Sequence, residues 1–136
     1  MNKKELKLIR IIFITAALWN LTGAIFGFFN PAITFHTLFD RDLTDPLFHS
    51  IYQGAWGVTL MFFIGYSIVA YNPIKHTGIV LIGEIGKTGF VISLLKLYLS
   101  GFAQSIVFVI IVGDVIFIIL FVYYFYVLHK AKEKIL

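Results

Sequence analysis

Cysteine is absent from this chain. That excludes disulfides, thiolate metal sites and thiol nucleophiles, and leaves the redox compartment open. Charge is scarce as well. Only 13% of the 136 residues are charged, about half the share of a soluble domain. His36, His49, His76 and His129 all lie outside the long apolar runs, which argues against a transmembrane haem held by two buried imidazoles. No helix carries the Glu-x-x-His spacing of a di-iron bundle. No cofactor and no metal are therefore expected.

Apolar residues are abundant, at 60% of the chain. So few charges cannot cover a water-facing surface, and the expected solvent is lipid. The net charge is +4, but the basic residues sit at the borders of the apolar runs rather than on one soluble face. Nucleic acid is accordingly not an expected partner.

Crossing a bilayer takes about 20 mostly apolar residues as a helix. Four windows qualify: Ile11 to Phe29, Ile51 to Tyr71, Ile79 to Leu99, and Ile106 to Leu128. Of the 18 charged residues, 14 fall outside them. Lipid cannot satisfy an open backbone edge, so continuous runs of this kind read as helices. Asn30-Pro31, Asn72-Pro73 and Ser100-Gly101 supply turn chemistry between them. The expected fold is all-α: a single domain over residues 1–136 forming a four-helix antiparallel transmembrane bundle.

Lys3, Lys4, Lys7, Arg10, Lys75, Lys130, Lys132 and Lys134 fall on one side of such a bundle, and Arg41 stands alone on the other beside Asp40, Asp42 and Asp45. The positive-inside rule then places both termini of a multi-pass membrane protein in the cytoplasm. The first run reads as a retained helix rather than a cleaved leader. It is long, contains Trp19 and Asn20, and has no small-residue cleavage site before Asn30-Pro31.

The outer loop, residues 30–50, holds Ile33, Phe35, Leu38 and Phe39, which suit either a short interfacial helix or a loop with apolar anchors. Its aspartates read as solvated. Tyr52, Trp56, Tyr71, Tyr98, Tyr123, Tyr124 and Tyr126 lie near the ends of the spans and are expected to form interfacial belts. Lys96, near the outer end of its span, is expected to snorkel.

Four polar residues are out of place in lipid: Glu84 and Lys87 in the third span, Asp114 in the fourth and Asn20 in the first. An ionisable group at a helix centre costs on the order of 2.5–3.5 kcal/mol on insertion scales, so each should face the interior with a partner. Lys87 and Asp114 differ by about 7–8 Å in height, which a lysine stem spans. Glu84 and Lys87 share a helix face. A Glu84–Lys87–Asp114 cluster with Asn20 beside it is expected, either as a structural clasp or as a midplane binding or transport site. Gly83, Gly86 and Gly89, with Gly54, Gly57 and Gly65 and the Gly23/Gly27 pair, are expected to allow close helix approach around it. Gly86-Lys87-Thr88 mimics the end of a phosphate loop, but the first glycine would fall at position 81, which is Leu81; no nucleotide is expected. His49 and Gln53 share a face at the outer mouth if the second helix starts a turn early.

The Lys-rich start, Leu8-Ile9-Arg10-Ile11-Ile12, the Gly23/Gly27 pair, Asn30-Pro31 and four spans in 136 residues resemble the DoxX-like group of small bacterial membrane proteins. The resemblance is one of layout. It implies a four-helix inner-membrane protein and transfers no site residue.

Three function classes stay open on the sequence. The first is a non-catalytic membrane subunit or accessory protein whose polar cluster is structural. The second is a small oligomeric transporter or channel using Glu84, Lys87 and Asp114. The third is a membrane enzyme acting on a lipid or quinone through His36, His49 and Asp45, which have no visible acid–base spacing. Partners are the lipid bilayer and, for transport, a homo-oligomer or larger membrane complex.

Overall fold

The computed structural model describes residues 1–133, so Lys134 lies outside the described residues. It is all-helical, with no strand among those residues. Four helices are long and apolar enough to cross a membrane.

The first, α1 (Lys3–Gly23), starts well before Ile11. Asn2 Oδ1 accepts from the Glu5 backbone N–H at 2.8 Å, and Glu5 Oε2 accepts from the Asn2 N–H at 2.8 Å. This reciprocal capping box nucleates the first turn. The helix then widens into a π-turn over Ala24–Phe28. Such a turn leaves carbonyls without their usual donors, and side chains satisfy three of them. Asn30 Nδ2 donates to the Ile25 oxygen at 2.7 Å and Gln53 Nε2 to the Phe28 oxygen at 2.9 Å. The Thr34 hydroxyl donates to Phe26.

The outer-loop alternative resolves as a helix, α2 (Pro31–Phe39). Proline suits its first position. Asp40 ends it in the left-handed region at φ 52°, its N–H on the His36 carbonyl at 2.8 Å. Asp45 caps the next helix, α3 (Pro46–Tyr71), by accepting the Leu47 N–H at 2.8 Å. Two of the aspartates expected to be merely solvated therefore define helix ends. The Asp45 cap also extends α3 ahead of Ile51. The remaining helices are α4 (Thr77–Leu99) and α5 (Val107–Glu133).

Contacts along the helices show that neighbours run antiparallel. Arg10 near the start of α1 reaches Tyr71 at the end of α3, while Gln53 near the start of α3 reaches Phe28. Gly65 and Tyr66 of α3 meet Ile79 and Gly83 of α4. Tyr98 of α4 packs edge-on against Phe108 of α5, and Phe13 of α1 stacks on Phe121. The order around the bundle is thus α1, α3, α4, α5. The α2 segment lies over one end, pinned to the α4–α5 turn by the Gln104 N–H on the Leu38 carbonyl at 2.7 Å.

Two apolar cores occupy the interior. One, near the chain termini, stacks Phe13, Tyr66, Phe121 and Tyr124, all essentially removed from solvent. The other, under α2, gathers Leu38, Trp56, Leu94 and Val107. The outward faces remain apolar: Ile14, Ile64, Ile85 and Ile119 are each at least half exposed. Soluble monomers rarely expose so many large aliphatic side chains together.

The belt expectation needs correction at three positions. Trp56 and Tyr124 are buried, and the Tyr52 hydroxyl is enclosed by protein. Tyr124 donates to the Pro73 carbonyl at 2.6 Å, tying α5 to the α3–α4 turn. Tyr71 and Tyr126 do point outward.

Candidate functional site: a buried ion pair beneath a cavity

Between the two cores lies the one ion pair between buried side chains among the described residues. Lys87 comes from the middle of α4 and Asp114 from the second turn of α5, with 7% and 4% of their surface exposed. Lys87 Nζ donates to Asp114 Oδ1 at 2.7 Å. The indole N–H of Trp19, on α1, donates to the same oxygen at 2.9 Å. Three helices thus converge on one carboxylate oxygen. Phe117 and Tyr66 flank the ammonium, with ring centroids 5.5 and 6.0 Å from Nζ, within cation–π reach.

Glycine seats the two rings that shape this site. A Cβ on Gly113 would lie 2.2 Å from Trp19 Cζ2, and one on Gly83 would lie 2.2 Å from Tyr66 Oη. No side chain larger than hydrogen lets Trp19 reach Asp114 or Tyr66 pack beside Lys87. Gly27 does the same for Trp56, where an added Cβ would stand 1.9 Å from the indole. The expected glycine ladder on α4 is otherwise not a packing seam. Beyond Gly83, a Cβ on Gly86 or Gly89 meets nothing within 4 Å, and the same holds for Gly54.

Of the four polar residues expected to cluster, the structure brings Lys87 and Asp114 into direct contact, with Asn20 lining the same cavity and Glu84 outside that lining. Asn20 is buried beside Trp19 but donates to its own helix, Nδ2 to the Ala16 carbonyl at 2.9 Å. Glu84 is half-buried, with Oε2 enclosed and lacking a hydrogen-bond partner. Lys87 turns to α5 rather than back along α4, because Asp114 offers a carboxylate whose position Trp19 already holds. Trp19 is the member the sequence reading missed. Its signal was an indole N–H in mid-run, a donor that needs a partner when buried.

On the α2 side of the ion pair, a cavity of about 790 Å³ opens between the four long helices. This falls within the range of small-molecule sites. Its wall is mainly apolar, with Trp56, Phe62, Phe90 and Ile110 contributing, and α2 covers it with Thr34 and Leu38. Lys87 and Asp114 form its inner end. Along α3 it runs from Tyr66 to Tyr52, about 21 Å of helix. Tyr52 lines its far end, with the hydroxyl enclosed by the surrounding protein. Beyond the ion pair, the Phe13–Tyr66–Phe121–Tyr124 stack closes the bundle.

His49 and Gln53 do share the early turns of α3, but neither lines the cavity; Gln53 is engaged with the π-turn. His36 pairs with Asp42 on the exposed surface at 3.3 Å. His36, His49 and Asp45 form no common site with the cavity.

No family model matches the chain, and no curated protein or solved structure matches it. The DoxX-like likeness accordingly rests on layout alone.

Proposed function

We propose that this chain is a non-catalytic multi-pass protein of the cell (inner) membrane that binds a small apolar molecule inside its bundle. Four long apolar helices and their aliphatic outer faces support insertion. The distribution of Lys and Arg supports cytoplasmic termini, which puts α2 and the covered end of the cavity on the outer side. The observation that carries the binding reading is the cavity itself. A hollow of about 790 Å³ between the helices, with a fixed ion pair at one end and outward-facing side chains such as Ile33 and Val109 at its rim, is more space than close-packed helices leave.

The aromatic stack beyond Lys87 favours binding over a channel, because it leaves no open path through the half of the bundle near the termini. A transporter reading would require that stack to part. The enzyme reading loses its footing in the separation of His36, His49 and Asp45 from the cavity, Asp45 being used as a helix cap.

The test uses the chain's own two tryptophans. Trp19 and Trp56 are the whole complement, and both line the cavity. With the protein in phosphatidylcholine nanodiscs, a mid-chain dibrominated octadecane should quench their fluorescence saturably. Gly86→Phe, which projects a ring from a lining position with no neighbour within 4 Å, should abolish the saturable part. Quenching that rises linearly with probe and is identical in the variant would refute the reading.

A further inference from the structure

We infer that the cavity takes a neutral lipid alcohol, with its hydroxyl seated on the Lys87–Asp114 pair and its chain lying toward Tyr52. This rests on the binding reading above and specifies its ligand.

The pair is saturated on one side only. An ammonium carries three donors, and Lys87 Nζ spends one, on Asp114 Oδ1. That oxygen also takes the Trp19 N–H, while Asp114 Oδ2 has no partner among the described residues. Both residues line the cavity. The site therefore shows a ligand an unused donor and an unused acceptor side by side, on a pair whose charges cancel.

A hydroxyl matches both, accepting from Nζ and donating to Oδ2. A carboxylate or phosphate would take the Nζ hydrogen but meet the Asp114 charge. An amine would satisfy Oδ2 but meet Lys87. A hydrocarbon would leave both groups unpaired in an apolar surrounding, which costs free energy. Glu84, the further carboxyl on this face of α4, does not line the cavity; any field it adds disfavours an anionic head still more. The rest of the wall asks for a hydrocarbon body. The long apolar slot along α3, from Tyr66 to Tyr52, suits a chain.

Four mid-chain dibrominated probes of equal length separate these cases in the nanodisc assay at neutral pH: octadecanol, stearate, octadecylamine and octadecane. Octadecanol should half-saturate the quenching at about tenfold lower membrane concentration than each of the others, the equivalent of one net hydrogen bond. Replacing the pair with Lys87→Met and Asp114→Leu should erase that preference while octadecane still quenches saturably. Where the double variant does not fold, the ranking of the four probes on the wild type decides alone. Equal half-saturation by all four probes, or tightest binding of stearate or octadecylamine, overturns the alcohol assignment and leaves the cavity reading intact. Saturable quenching by none of them takes both down together.

Discussion

Removing one member of the buried pair should cost far more than removing both. Lys87→Met leaves Asp114 with 4% exposure and the Trp19 N–H as its one remaining hydrogen-bond donor. Breaking a buried ion pair in this way costs about 3–5 kcal/mol, because the penalty of the orphaned charge adds to the lost attraction. An ordinary interhelical hydrogen bond between membrane helices is worth only about 0.6 kcal/mol. The two magnitudes are far enough apart for one assay to decide. The wild type, Lys87→Met, Asp114→Leu and the double variant would be unfolded in mixed micelles of rising SDS fraction and followed by helical circular dichroism. Each single variant should lose about 3–5 kcal/mol, and the double variant should return to within about 1–2 kcal/mol of the wild type. The coupling between the sites should then exceed about 2 kcal/mol. Single losses under about 1 kcal/mol that simply add would refute the picture of a dry, tightly held pair.

Gly27→Ala should destabilise the bundle by about 1–3 kcal/mol through overpacking, because the new methyl would lie 1.9 Å from Trp56; Gly89→Ala, with nothing within 4 Å, should change little in the same unfolding assay. Tyr124→Phe removes the 2.6 Å bond to the Pro73 carbonyl and should cost about 1–3 kcal/mol; unchanged stability would mean that the α3–α4 turn is held by other contacts. Single cysteines at Asp42 and at Lys132 can be introduced into a chain that has none. A membrane-impermeant maleimide should then label Asp42→Cys on intact cells and Lys132→Cys only after lysis, and the opposite pattern would overturn the orientation.

The four long helices were legible because length and hydropathy are properties of contiguous residues. Their ends were less so. The Asn2–Glu5 capping box starts α1 at Lys3 rather than Ile11, and the Asp45 cap starts α3 at Pro46 rather than Ile51. The site was half legible. Lys87 and Asp114 stood out because charge in an apolar run is expensive, and a height estimate sufficed to pair them. Glu84 stood out for the same reason, yet spacing along one helix does not say which way a lysine stem will turn. Trp19 and Gly113 carried no such flag, since tryptophan and glycine are common in apolar helices; only the flat approach of one on the other shows that they act together. Glycines at every third position on α4 looked like a packing seam, whereas Gly86 and Gly89 border open space.

The linear chain by itself determined how many long helices form, which solvent suits them, and that a few charged groups must find company away from it. These follow from transfer free energies, which depend on residue type and run length alone. Which groups meet, and that a hollow is left above them, was decided by packing. Bulky rings of α1 and α3 wedge against hydrogen-only positions on their neighbours, and that interlocking sets where the helices touch and where they stand apart.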